Sequence, residues 1–226
     1  NQMTSIPGLF AIGEADYQYH GANRLGANSL LSCIFSGLIV APGIDNWFAS
    51  LPAGSAADQP ASLFQAAVDE HRRRDRELLA CTGPENPYTL HRELGQVMTR
   101  NVTVVRYNNT LRQTLDKIDE LTDRYRRIEL ADRGDWTNQT LSFARALGDM
   151  LLLARVITEA SLLRDEVRGA HFKPDFDIPP PKAHEGEQLR LEARQWCQAF
   201  AQQNGKWLKS TIATIAHDGC RFSYEP

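Results

Sequence analysis

Arg24 and His20 stand in a glycine-bearing stretch, His20-Gly-Ala-Asn-Arg-Leu-Gly-Ala-Asn-Ser-Leu-Leu31, that runs straight into an apolar segment. The chemistry these residue types support is anion recognition. A guanidinium presents a planar fork of donors that matches a carboxylate or phosphate. Gly21 and Gly26 let backbone approach a ligand closely, and Asn28 and Ser29 are types that start helices and satisfy their first free N–H groups. The positive end of such a helix would face the loop that carries Arg24. Glu14 is a second charged candidate, placed just after the apolar run Leu9 to Ile12.

The elements that must position these groups can be read outward from them. Leu9 to Ile12, between Gly8 and Gly13, reads as a short buried strand that needs pairing partners. Ser29 to Val40 is apolar almost throughout and predicts a helix buried on most sides. Pro42-Gly43 marks a change, and the Ala/Gly/Ser/Pro stretch of residues 51–60 reads as a linker between residues 1–50 and a second domain, 61–226.

In that second domain the pattern is helical. Phe64, Ala67, Val68, His71, Leu78 and Leu79 share a face, and Gly83-Pro84 stops the run. Asn86-Pro87 starts the next helix, with Asn86 as its cap. Leu111, Leu115, Ile118, Leu121, Tyr125 and Ile128 recur within 106–129, and Gly134-Asp135 ends that unit. Leu141 to Leu162 completes an up-and-down bundle. Asp177-Ile-Pro-Pro-Pro-Lys182 is a stiff spacer before a helical run at 184–203, and residues 207–226 read as a β-hairpin bending at His217-Asp-Gly219. The expected fold is mainly α: a helical bundle with a small hairpin, preceded by a strand-loop-helix remnant of another domain.

Composition bounds the function. The 226 residues are 42% hydrophobic with a net charge of −3, enough for a core and without a basic surface for nucleic acid. Cys33, Cys81, Cys197 and Cys220 show no paired spacing for a metal or an iron–sulfur cluster. No signal peptide or membrane-spanning run is read, so the N-x-T triplets at Asn101, Asn108 and Asn138 are taken as chance.

The words Ile6-Pro-Gly-Leu-Phe-Ala-Ile-Gly-Glu14 and His20 to Leu31 strongly resemble the end of the FAD-binding domain in the succinate dehydrogenase and fumarate reductase flavoprotein family. Arg164-Asp-Glu-Val-Arg-Gly-Ala-His-Phe-Lys-Pro-Asp175 is similar to a family word after the last bundle helix, with Val167 where serine is usual. The Tyr-Glu-Pro ending also resembles the family. This resemblance implies that Glu14 anchors a ribose or ribityl group of FAD, that Arg24 grips a substrate carboxylate, and that Ser29 and Leu30 meet the flavin ring through their backbone. His20 would be a neighbour of that site. Charges this dense around Gly169 suggest a turn fixed by ion pairs, the reading favoured here, or a surface that meets a neighbouring domain or an iron–sulfur subunit.

The resemblance further implies an intact subunit that oxidises succinate to fumarate by hydride transfer to FAD and passes electrons to an iron–sulfur subunit on a membrane anchor. Its location would be cytoplasmic, peripheral on the inner face of the membrane. No G-x-G-x-x-G follows a strand here, so the pyrophosphate cradle and the catalytic residues are expected upstream, and this stretch alone should neither bind FAD nor catalyse. The helical run within 183–205 would be an insertion. L-Aspartate oxidase, which shares the Asn-Arg-Leu word, and fumarate reductase working in the opposite direction are the alternatives.

Overall fold

A computed structural model describes every residue except 1, 17, 56–58, 135, 217, 218 and 226. It forms two compact units, residues 1–70 and 71–226. Among the described residues six α-helices and one two-stranded sheet follow in chain order: α1 (Asn28–Ala49), α2 (Ala61–Ala80), α3 (Pro87–Asn101), α4 (Asn108–Tyr125), α5 (Gln139–Leu163), α6 (Gly186–Trp207), β1 (Ser210–Ala216) and β2 (Gly219–Glu225).

In the first unit, Leu9 to Ile12 is not a strand. Its pairing is a single bridge, Met3 to Phe10, flanked by hydrogen bonds from Thr4 N to Leu9 O and from Ala11 N to Gln2 O. The short antiparallel neighbour at residues 2–4 offers too few partners to extend a ladder, and Leu9 and Ile12 remain exposed. Gly13–Asp16 then makes a 3-10 turn that packs on α1. Gly13 adopts a φ of +63°, and a Cβ there would come 3.2 Å from Cys33 Sγ, so the position suits only glycine.

The helix α1 also departs from its sequence reading. It continues through Pro42 and Gly43 to Ala49, so the apolar run is longer than the Pro-Gly pair suggests. By length and composition it is able to cross a membrane, which corrects the expectation that the chain has no such run. It is not buried on most sides: only Ser36 and Gly43 are buried, while Leu30, Leu31, Ile34, Phe35, Leu38 and Phe48 are exposed. The periodicity reported apolarity correctly, but no described residue of the first unit covers that face.

The second unit is built on the bundle. Leu90 and Leu94 of α3, Ile118 and Leu121 of α4, and Leu141, Ala144, Leu147, Leu151 and Ala154 of α5 form one core with Ile128 and Leu130. The three helices pack on one another, and Leu78, Leu79 and Cys81 at the end of α2 add to the same core. Asn86 caps α3 by accepting from Tyr88 N and Thr89 N, with Pro87 in the first turn. Asn138 caps α5 through Leu141 N. Gly83 is obligatory for a close approach, since a Cβ there would lie 1.9 Å from the Arg127 carbonyl. The hairpin is antiparallel with Ser210 opposite Glu225, and α6, rather than a strand, holds Trp207. The bend predicted at His217 and Asp218, like Asp135 after Gly134, lies outside the described residues.

Candidate functional site

Ala27 occupies the N-cap of α1 in the left-handed conformation (φ 64°), and no side chain caps this end. Asn28 and Ser29 therefore sit inside the first turn and do not cap it, contrary to the sequence reading. Asn28 N donates to Leu25 O at 3.4 Å, and no side chain caps the N–H groups that follow it at the positive end of a long helix, an arrangement that receives anions.

Arg24 folds back over that turn. Its Nη1 donates to Ser29 Oγ at 2.7 Å, and its guanidinium is exposed rather than packed into a core. Arg24 has no acidic partner among the described residues, so its charge is available to a ligand. Ser32 Oγ donates to Ser29 O at 2.9 Å, which commits its only hydrogen. The 3.3 Å contact between Ser32 Oγ and His20 Nε2 must then be donated by the ring, placing the proton of a neutral His20 on Nε2 and leaving Nδ1 as an acceptor. The Tyr19 and His20 rings lie 4.6 Å apart.

Two of the sequence-predicted groups are thus brought together, Arg24 with Ser29, and His20 joins the same helical turn through Ser32. Leu30 projects outward, 76% exposed. Glu14, exposed on the 3-10 turn packed against α1, has no side-chain partner among the described residues. The role of Ser32 was missed in the sequence; its placement three residues after Ser29 was the available signal.

The Arg164 to Asp175 word forms a second polar centre, in the other unit. Glu166 is wholly buried, held by Arg164 Nε on one side and by Arg168 Nε at 2.9 and 3.1 Å on the other. Arg164 also donates to the carbonyls of Trp207 and Lys209 and to Thr211 Oγ1, and Arg168 donates to Asn204 Oδ1, so both guanidiniums reach α6 and that of Arg164 also reaches the start of the hairpin. His171 Nε2 donates to Arg164 O at 2.8 Å, leaving Nδ1 to accept from Arg106 at 2.6 Å. Burial, with the Arg106 guanidinium beside it, pushes His171 down to about 4. Lys173, also buried, donates to Leu162 O and to Asp165 Oδ1, and burial lowers it below the usual lysine range. Arg164, Asp165, Glu166, Arg168 and Lys173 all have partners, the signature of a clamp rather than of a ligand site.

A half-open cleft of about 550 Å³ lies between α2, α4 and α5, lined by Leu78, Cys81, Tyr125, Arg145 and Asp149 among others. No sequence signal pointed to it. Among the described residues, no group of three or more His, Cys, Asp and Glu side chains is placed to hold a metal ion.

Comparison with known proteins gives this geometry a context. Residues 91–226 match the family described as fumarate reductase flavoprotein C-term, and residues 1–30 match an FAD binding domain. The succinate dehydrogenase flavoprotein subunit of Bacillus subtilis is 47% identical over 190 residues, covering 84% of this chain and 32% of that protein. The fumarate reductase flavoprotein subunit of Escherichia coli K12 is 34% identical over 176 residues, covering 77% of this chain and 28% of its own length. Among solved structures, a quinol-fumarate reductase with menaquinol molecules superimposes with a TM-score of 0.77 at 27% identity, covering 100% of this chain and 35% of that one. Mycobacterium smegmatis Sdh1 in complex with UQ1 gives 0.73 at 26% identity, covering 98% and 33%. The chain spans about a third of the length of the curated relatives it matches. With more than half of its residues in the family match and its helical bundle common to those structures, this chain belongs to the fumarate reductase flavoprotein C-terminal family.

Proposed function

We propose that this chain is the C-terminal part of the flavoprotein subunit of a succinate dehydrogenase, a subunit that interconverts succinate and fumarate with FAD. The observation that carries the reading is the pairing of an unneutralised guanidinium, Arg24, with the uncapped N-terminus of α1, inside the stretch that matches an FAD binding domain. The residues fit the group. Gly21, at φ +66°, has no atom within 4 Å of the place a Cβ would take, which leaves room for a ligand against the backbone. The uncapped N–H groups of the first turn suit the negative charge that a reduced flavin carries, and the exposed Leu30 supplies apolar surface for a ring.

FAD supplies the acceptor for the hydride removed from succinate. Arg24 binds one carboxylate of the substrate and thereby fixes its orientation, and the positive end of α1 adds to that attraction. Ser29 and Leu30 meet the flavin ring through their backbone, Glu14 holds a ribose or ribityl hydroxyl, and His20, with its Nδ1 free to accept, borders the substrate. Residues 1–50 then belong to the FAD-binding domain and residues 61–226 to the helical domain, joined by 51–60. The apolar face of α1, exposed here, suits burial within a larger domain better than passage through a lipid bilayer.

We also assign to the intact subunit an iron–sulfur partner, attachment through it to a membrane anchor, and a place on the cytoplasmic face of the membrane. Oxidation of succinate is favoured as the direction because the 47% identical relative is a succinate dehydrogenase, whereas the fumarate reductase of Escherichia coli is 34% identical.

In the intact subunit, Arg24→Lys is expected to retain flavin but to lose succinate oxidation by at least about thirtyfold, since truncating one partner of a desolvated charge pair costs about 2–5 kcal/mol. Turnover with unchanged substrate affinity would overturn the assignment. Flavin bleaching by succinate, and not by aspartate, separates this reading from an L-aspartate oxidase.

A further inference from the structure

A serine in the first turn of a helix ordinarily spends its hydroxyl on a backbone group, either capping the free N–H groups or returning to a carbonyl one turn back. Ser32 follows that rule by donating to Ser29 O. Ser29 does not: no side chain caps α1, and the Ser29 hydroxyl accepts from Arg24 Nη1 at 2.7 Å.

The arrangement works against an electrostatic cost. The guanidinium and the N-terminus of α1 carry charge of the same sign, so a flexible arginine left to itself would swing away from the helix end and into water. No described acidic side chain holds it back. A neutral acceptor reaching from the first turn keeps the cation in place without cancelling its charge, and it occupies only one of the five N–H donors of the fork. An acidic residue in the same position would neutralise the group and compete with a substrate carboxylate.

We propose that Ser29 is a positioning residue for Arg24: its hydroxyl holds the guanidinium beside the first turn of α1, so that one carboxylate of a dicarboxylate meets the guanidinium in a fixed place, within the positive field of the helix end. This rests on the reading of Arg24 as the carboxylate-binding group. It adds a function of the Ser29 side chain to the backbone contact assigned above, and it predicts that the two are separable by mutation. The backbone N–H remains when the hydroxyl is removed.

The test uses the intact flavoprotein and malonate, whose single methylene cannot be desaturated, with binding followed by the perturbation of flavin absorption. Ser29→Ala is expected to leave flavin content and melting temperature unchanged while weakening malonate binding about tenfold, the range for a hydrogen bond to a charged group. Ser29→Thr, which keeps the acceptor, is expected to restore affinity to within about twofold. Ser29→Cys, close in size and a weak acceptor, carries the expectation of the alanine variant should that variant not load flavin. Unchanged affinity in Ser29→Ala together with lost affinity in Arg24→Lys would overturn the role of Ser29 and leave that of Arg24 standing. Unchanged affinity in both would overturn the assignment of Arg24 itself. Lost affinity that Ser29→Thr fails to restore would show that the hydroxyl does not act as the acceptor for Arg24.

Discussion

Glu166 has no solvent exposure and lies between two guanidiniums that are themselves mostly buried, at 16% and 20% side-chain exposure. Removing the carboxylate would leave Arg164 and Arg168 facing each other without a counter-charge. Loss of one member of a buried ion pair typically costs about 3–5 kcal/mol. Glu166→Gln is therefore expected to lower the urea midpoint of the protein and to speed proteolysis near residues 205–211, where Arg164 holds the carbonyls of Trp207 and Lys209. Unaltered stability would mean that the clamp is not a unit. The ion pairs of this word were legible from the sequence, because alternating Arg and Glu around a glycine have few other ways to be buried. The Arg24 to Ser29 contact was not legible. It depends on Ala27 taking the left-handed conformation, which moves Asn28 and Ser29 one position into the helix, and local propensity favours neither alanine nor that register there.

At the scale of elements, α3 and α4 are tied by a charge network on their outer edge. Arg124 donates to Glu85 and Glu93, and Lys117 reaches Glu93 and Glu120. The hydrogen bond from Arg124, with Lys117 adding to it, draws Glu93 down to about 2 from an ordinary 4.5. A depressed carboxylate gives its full stabilisation above the unfolded-state value and loses it as pH falls through the folded one, so this contribution should fade between about pH 4.5 and pH 2. Glu93→Gln is expected to flatten that part of a stability profile measured by urea denaturation. The cap of α3 provides a separate test: Asn86→Ala should cost about 1 kcal/mol, read as a shift in the same midpoint, through lost bonds to Tyr88 N and Thr89 N. These helices and their caps were readable because periodicity and capping residues agreed. The strand at Leu9 and the end of α1 were misread for opposite reasons. A strand needs partners that periodicity does not supply, and Pro42 is tolerated inside a helix that the flanking residues favour.

Across the whole molecule, acid sensitivity comes from a lowered histidine, His171, and from carboxylates held below their usual range by hydrogen bonds and cations, Glu93 together with Glu85, Glu120 and Asp165. His171 is held neutral by burial and by Arg106, so the unfolded chain takes up its proton first. A histidine lowered from 6.5 to about 4 stabilises fully above the higher value, and the contribution is lost as pH falls from 6.5 towards 4. Stability should therefore decline in two steps, the upper one removed by His171→Asn and the lower, which other lowered carboxylates share, made shallower by Glu93→Gln. A single step left unchanged by either substitution would rule out this division.

The bare flank of α1 has a consequence for anyone handling the polypeptide. Leu30, Leu31, Ile34, Phe35, Leu38 and Phe48 leave a greasy seam in contact with water, and contiguous exposed apolar surface of this kind favours association. Residues 1–226 made on their own should clump as they are concentrated, scatter light and take up a hydrophobic dye. A piece beginning at residue 71 should stay dispersed.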